Sequence, residues 1–254
     1  SVNRSRFRFT GADGQVIYGL GAVRGVGEGP VAALEAARAE QGPFLDLADF
    51  CRRVDARKAN RRVLEALIRS GAMDEFAFAD EDLNQVRARL MAELPDALQG
   101  AEQAARDSAA GIADLFGGVE TAVADRPGRH DVEPLSTRER LEAEKESLGL
   151  YLTGHPIEDY LGELGHICAT SIAGLRPRRG NQLVAGLVMS TRVMRARRGG
   201  DLCFLSIDDR SGRIEASLFS DAYEAARAKI AKDAILVFEG EVQQDDFTGA
   251  QKLK

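Results

Sequence analysis

The sequence predicts an α+β chain in which a helical domain precedes a small β-barrel, with an acidic stretch between them. Three observations predict it. Val63, Leu64, Leu67 and Ile68 recur at helical spacing between Asn60, suited to cap a helix start, and Gly71, suited to end one. From Gln182 onward the period changes to two, most cleanly where Ile214, Ala216 and Leu218 alternate with Glu215 and Ser217. The length of 254 residues, with 44% hydrophobic and 29% charged side chains, suits two compact cores and a connecting segment.

Residues 6–20 read as a hairpin, with Phe7 and Phe9 outbound, a turn at Asp13-Gly14, and Val16, Ile17 and Tyr18 returning. Gly25-Val26-Gly27-Glu28-Gly29-Pro30 then feeds a helix over Val31–Ala39, with Pro30 placed in the first turn, where its missing N–H is not needed. The capped segment at Asn60 makes a second helix-and-turn unit. Residues 80–135 lose the periodicity, are rich in Ala, Asp and Glu, and read as a partly helical linker. Ser136 and Glu139 form a capping-box pattern ahead of a helix to about Tyr151, stopped by Thr153-Gly154-His155-Pro156. Strands follow at 183–194, 202–207 and 214–218, then a helix over 221–232 and a strand over 235–242. Three strands, a helix and further strands is the order of an OB-fold, a five-stranded barrel.

No apolar run approaches the roughly 18 residues of a membrane span. Cys51, Cys168 and Cys203 are odd in number and widely spaced, which argues against a disulfide framework, and His130, His155 and His166 lack partners at metal-ligand spacing. The sequence starts without Met and stops within a strand-like pattern, so it reads as an excerpt of a longer protein. The net charge of -6 speaks against nucleic acid until its distribution is read. Residues 52–69 hold seven basic side chains against Asp55 and Glu65, and residues 167–200 hold seven arginines and no acid. Between them, residues 80–125 hold ten acids against three arginines. Two basic regions flank an acidic spacer.

Three features fit nucleic-acid chemistry. At Gly25-Val26-Gly27 the chain turns with main-chain N–H groups outward at a helix start, a geometry that grips a phosphate without reading bases; an ordinary interhelix turn is the plainer alternative. Arg192, Arg195, Arg197 and Arg198 lie between the first two barrel strands, and with Phe204 and Phe219 as stacking surfaces they would let a single strand track across the barrel face; otherwise the rings are core and the arginines solvate a loop. Ile112-Ala113-Asp114-Leu115-Phe116 is an apolar cluster in the acidic spacer, fit either to dock as a short peptide or to cover a neighbouring helix. Asp208-Asp209, at a strand-to-turn junction, makes a poor metal site.

Four strings in order resemble the bacterial DNA polymerase III alpha subunit family downstream of its catalytic palm. They are Tyr18–Pro30 (YGLGAVRGVGEGP), Asn60–Ala72 (NRRVLEALIRSGA), Leu148–Pro156 (LGLYLTGHP) and Leu205–Arg213 (LSIDDRSGR). The resemblance implies a tandem helix-hairpin-helix domain with its N-terminal β-hairpin over residues 1–80, an acidic linker with a clamp-binding motif over 81–134, a helical connector over 135–180 and an OB-fold, cut at its end, over 181–254. It matches Gly25, Val26 and Gly27 to the first hairpin and Ser70, Gly71 and Ala72 to the second; with the basic side chains beside them, the expected duplex-binding set is Arg24, Gly25, Val26, Gly27, Lys58, Arg61, Arg62, Ser70 and Gly71. It places an OB domain near single-stranded template, where the residues read above, Arg192, Arg195, Arg197, Arg198, Phe204 and Phe219, would make the contact, and it matches Ile112, Ala113, Asp114, Leu115 and Phe116 to the clamp motif. The family's clamp motif commonly begins with Gln where this sequence has Ile112, which removes an amide contact.

The implied partners are primer-template duplex DNA, single-stranded template, a β sliding clamp and other replicase subunits, in the cytoplasm at the nucleoid and not at a membrane. The family's polymerase aspartates and metal-binding domain lie upstream of this stretch, so neither catalytic residue nor cofactor is expected here. A helix-hairpin-helix glycosylase is a rival, with Asp46 after the hairpin, but no lysine follows at the needed place; a ligase lacks its Lys-x-Asp-Gly. A stand-alone single-strand-binding or repair accessory protein remains the stronger alternative.

Overall fold

The computed structural model describes residues 1–12, 14–109, 132–195, 199–245 and 249–254. They form two compact units, Ser1–Thr153 and Gly154–Lys254.

In the first unit, β1 (Thr10–Ala12) pairs antiparallel with β2 (Gln15–Ile17), Thr10 opposite Ile17. A 3-10 turn at Leu20–Ala22 leads to α1 (Glu28–Gln41), α2 (Leu47–Arg53) and α3 (Arg61–Arg69). Side chains cap these helices as their types suggest. Asp46 accepts the Asp49 N–H at 2.7 Å and Asn60 accepts the Val63 N–H at 3.2 Å. Gly71 ends α3 with φ +77°, a left-handed conformation that costs glycine least. Leu34, Phe50, Leu64, Leu67, Ile68 and Met73 form the buried centre.

The linker expected over residues 81–134 is different in its first part. Residues Leu83–Ala109 form one long helix, α4, and Val86, Leu90 and Leu94 at intervals of four are buried in the same core as α2 and α3. These three apolar side chains are enough to seat a helix. Two arginines on α4 are also buried. Arg87 reaches Asp74 and Glu144, while Arg89 reaches Glu81 and Glu93 and lies over the Phe78 ring. Glu144 belongs to α5 (Thr137–Leu148), whose start carries the full Ser136–Glu139 capping box.

The second unit opens with short turns and α6 (Leu161–Ile167), then becomes a six-stranded sheet. Its strands are β3 (Gln182–Arg195), β4 (Asp201–Asp208), β5 (Arg213–Leu218), β6 (Ile235–Gly240), β7 (Val242–Gln244) and β8 (Gln251–Leu253), with α7 (Ser220–Ala226) after β5. The helix read over 221–232 is shorter than expected, because the Lys229 N–H turns back to the Ala226 carbonyl. The spatial order is β6-β3-β4-β5-β8-β7, with β5 and β8 parallel and every other pair antiparallel. β6 and β7 are successive halves of one bent strand, split at Glu241, which exchanges backbone hydrogen bonds with Lys254 at 2.9 and 3.0 Å. The two ends of the sheet are thereby joined, and the sheet closes into a barrel. Gly240 sits at the bend, where the Lys254 carbonyl fills the space a β-carbon would take. Val184, Val188, Cys203, Leu205, Ile207, Ile214 and Ala216 fill the interior. β3 shifts register between Val188 and Ser190, and from Ser190 to Arg195 it is exposed. That bulge carries the β3–β4 hairpin beyond the barrel.

Candidate nucleic-acid interface

The first hairpin lies between Ala22 and α1. Val23 and Val26 are buried and anchor it, whereas Arg24, Gly25 and Gly27 are exposed. Gly25 has φ +85°, and a β-carbon on Gly25, Gly27 or Gly29 would meet nothing within 4 Å. The expectation of a fully outward bend needs one correction. The Val26 N–H donates to the Val23 carbonyl at 3.0 Å and the Arg24 N–H to the Ser147 carbonyl at 2.8 Å, so these two amides are committed to the fold. The amides at Gly25, Gly27, Glu28 and Gly29 belong to exposed residues at the bend and the start of α1. Negative charge is favoured there by the unpaired donors and the helix dipole.

Val26, Pro30, Ala59 and Val63 lie around one packed apolar patch of the core, which brings the start of α3 beside the start of α1. Lys58, Arg61 and Arg62 at that second helix start are all exposed. Arg61 is engaged with Glu65 at 2.8 Å, an exposed pair of small energetic weight. Lys58 and Arg62 make no ion pair among the described residues. Other arginines of the basic run are structural. Arg53 donates to the Pro43, Ala37 and Gly42 carbonyls and lies 4.5 Å from the Phe44 ring centre, and Arg69 pairs with Glu146. Arg24 braces the hairpin through its guanidinium, which donates to the Glu146 carbonyl at 3.1 Å.

The second hairpin does not join this surface. Ser70 is buried, its amide donating to the Ala66 carbonyl and its hydroxyl to the Leu67 carbonyl; the Gly71 amide donates to Ile68 and the Ala72 amide to Leu67. Arg87 and Asp74 crowd the α-carbon of Gly71. Ser70 and Gly71 therefore turn inward, where they make room for the buried Arg87.

On the barrel, Phe204 and Phe219 are both outside the core. β4 buries Cys203, Leu205 and Ile207 and faces Phe204 outward; Phe219, just after β5, is 55% exposed. Both rings border a groove of about 300 Å³ whose other walls include Gln243, Gln244, Lys252 and Lys254. Arg192 sits directly across from Phe204 in the β3–β4 ladder, its guanidinium 5.1 Å from the ring centre. Arg195, opposite Asp201, is exposed further along the hairpin. Arg197 and Arg198 lie outside the described residues, as do Asp13 and the whole Ile112–Phe116 cluster.

Sequence reading missed Gln243, Gln244, Lys252 and Lys254 as groove residues. They lie on strands of three residues or at the chain end, too short to show a period. Lys252 reaches Asp245 at 2.7 Å and Glu215 at 3.6 Å, and the hydrogen bond to Asp245 raises its pKa. Asp208 and Asp209 are absorbed by the turn. Asp208 pairs with Arg213 at 3.0 Å, and Asp209 accepts from the Ile172, Ser211 and Gly212 amides. Among the described residues, no cluster of three His, Cys, Asp or Glu is arranged to hold a metal ion, and no helix is long and apolar enough to cross a membrane.

Family models match both units. Residues 1–83 match the helix-hairpin-helix motif and residues 183–252 the OB-fold nucleic acid binding domain. DNA polymerase III subunit alpha of Pseudomonas aeruginosa is 51% identical over 100% of this chain, and that of Escherichia coli (strain K12) is 41% identical over 99%. The chain spans 22% of the length of each. Among solved structures, the second OB-fold domain of replication protein A from Methanococcus maripaludis covers 33% of this chain and 87% of its own, at 20% identity and a TM-score of 0.26. Along its whole length, then, the chain is homologous to a segment of the bacterial DNA polymerase III alpha subunits, one that carries a helix-hairpin-helix region followed by an OB-fold.

Proposed function

We propose that this chain is the DNA-holding part of a replicative DNA polymerase, gripping duplex at its first hairpin and single-stranded template along its barrel groove. The observation that carries this reading is the open glycine bend at Gly25 and Gly27, set beside the basic start of α3 by the packing of Val26 and Pro30 near Ala59 and Val63. Main-chain donors and lysine or arginine side chains there address phosphate and no base edge, so the grip is sequence-independent. The chemistry of nucleotide transfer belongs to other parts of the longer protein. Primer-template DNA and other replicase subunits in the cytoplasm are the partners this reading supplies.

The test is a fluorescence anisotropy titration of the full chain with a blunt duplex. Gly27→Val is the informative variant, because φ at Gly27 is -85°, which valine accepts, and the space around it is open. The fold should persist while a phosphate is kept from the amides. Two charge-assisted hydrogen bonds at about 1.5 kcal/mol each predict a roughly 100-fold weaker duplex affinity. Unaltered affinity in a folded variant would remove the grip.

The same reading includes docking of Ile112–Phe116 on a sliding clamp, supported by the Leu115-Phe116 pair within an acidic stretch. Leu115→Ala with Phe116→Ala in the full chain is expected to abolish clamp binding measured by surface plasmon resonance. If the unaltered chain shows no response on an immobilised clamp, the docking role is to be dropped.

A further inference from the structure

Residues 1–18 contain Arg4, Arg6 and Arg8 against a single acid, Asp13. All three arginines are exposed, and none makes an ion pair among the described residues. The segment that carries them is nevertheless held firmly. Phe7, between Arg6 and Arg8, rests on the helical core, and its N–H donates to Glu35 Oε1 at 3.1 Å. The Leu20 N–H donates to the Arg6 carbonyl at 2.8 Å and the Gly21 N–H to the Phe7 carbonyl at 3.0 Å. Gly19 permits this close approach, since a β-carbon there would come within 2.7 Å of the Phe7 and Arg8 backbone. Beyond it, Phe9 and Tyr18 meet edge to face at 4.7 Å and brace the β1–β2 hairpin.

This places a fixed basic segment against Leu20 and Gly21, immediately before the glycine bend. Gly25 is four residue steps beyond Gly21, a reach of at most about 14 Å even when fully extended. A duplex presents a phosphate on each strand about every 3.4 Å of its axis, so one seated at the bend extends past the arm within a few steps. Exposed arginines with no acid engaging them are the complement of that surface.

We propose that Arg4, Arg6 and Arg8 form an arm that contacts the sugar-phosphate backbone of the duplex held at Gly25 and Gly27. The arm rests on the duplex reading above and adds to it a second group of phosphate contacts, made by side chains where the bend uses main-chain donors. Because these arginines point outward and the segment is anchored by its backbone and Phe7, they can be replaced without disturbing the fold.

The experiment is duplex anisotropy with the full chain from roughly 50 to 200 mM salt, comparing Arg6→Gln/Arg8→Gln, Arg6→Lys/Arg8→Lys, Gly27→Val and, as a distant exposed arginine, Arg106→Gln. Each lost phosphate contact removes about 0.9 from the slope of log affinity against log salt, so the double glutamine variant is expected to lose about 1.8. Its affinity at low salt should fall roughly tenfold or more, the lysine pair should keep the slope, and Arg106→Gln should match the unaltered chain. If Gly27→Val weakens binding and the glutamine pair leaves the slope unchanged, the arm is wrong and the bend stands. If only the glutamine pair weakens binding, the arm stands and the bend reading falls. Absence of duplex binding by the unaltered chain overturns both, and an equal loss on a single-stranded oligonucleotide overturns the assignment to duplex.

Discussion

Replacing Arg87 with methionine is expected to destabilise the first unit by about 3–5 kcal/mol, the cost of breaking a buried ion pair from one side. Arg87 is 1% exposed and Glu144 is fully buried. The guanidinium donates to both Asp74 oxygens at 2.8 and 2.7 Å and to Glu144 Oε1 at 2.8 Å. Without it, a fully buried carboxylate, Glu144, and a partly buried one, Asp74, share a site with no cation between them. Glu144 would keep the Leu152 and Thr153 amides and the Thr153 hydroxyl, but Asp74 would lose its bidentate partner. Methionine fills much of the space and supplies none of the five donors. Denaturant unfolding of the full chain, followed by far-ultraviolet circular dichroism, measures the loss; a change below about 1 kcal/mol would mean that the network contributes little.

The pH dependence gives the same network a second reading. Burial would raise the Glu144 pKa, but the Thr153 hydroxyl, the Thr153 and Leu152 amides and Arg87 together hold it below its ordinary value. Its stabilising contribution is therefore present above the unfolded carboxylate range and lost as pH falls through the lowered value. Burial pushes Asp74 up, and Arg87 offsets this only in part. In the methionine variant both carboxyls rise, and a raised carboxyl favours the fold as pH falls. The gap between the unaltered chain and the variant should thus narrow on acidification; a gap that widens would contradict this account.

The fate of α4 and of the second hairpin shows where sequence reading reaches and where it stops. The barrel was legible where alternation survives within a strand: Cys203, Leu205 and Ile207 of β4 and Ile214 and Ala216 of β5 are buried just where period two places them. The caps at Asn60 and Ser136 were legible for the same reason, each being a local hydrogen bond between residues three apart. α4 was obscured because its apolar stripe, Val86, Leu90 and Leu94, is narrow and lies among alanines and acids that suggested a linker. Nothing local marks its arginines as buried, because the acids that neutralise Arg87 come from residues 74 and 144, too distant in sequence to be paired without the fold. Gly71 matched the hairpin pattern as well as Gly25 did. Only the tertiary position of Arg87 separates a glycine that opens to solvent from one that makes room for a side chain.

Phe219→Ala is expected to weaken single-strand binding by the full chain roughly 5- to 150-fold, since a base stacked on an aromatic ring is worth about 1–3 kcal/mol. The ring is more than half exposed and borders the groove, so truncating it removes a platform and leaves the barrel core intact. Phe204→Ala acts less directly, because Arg192 already lies over that ring; its loss would free the guanidinium as well as remove the surface beneath it. A change at Asp245 should act in the opposite direction. Lys252 is held by Asp245 and Glu215, so its charge is spent within the groove before any phosphate arrives. Asp245→Asn removes one of those competitors and should tighten single-strand binding while steepening its salt dependence. The pair of results has a sign that simple unfolding cannot imitate: one groove variant weakens binding and another strengthens it. Weakening by both, or indifference to both, would move the single strand off this face of the barrel.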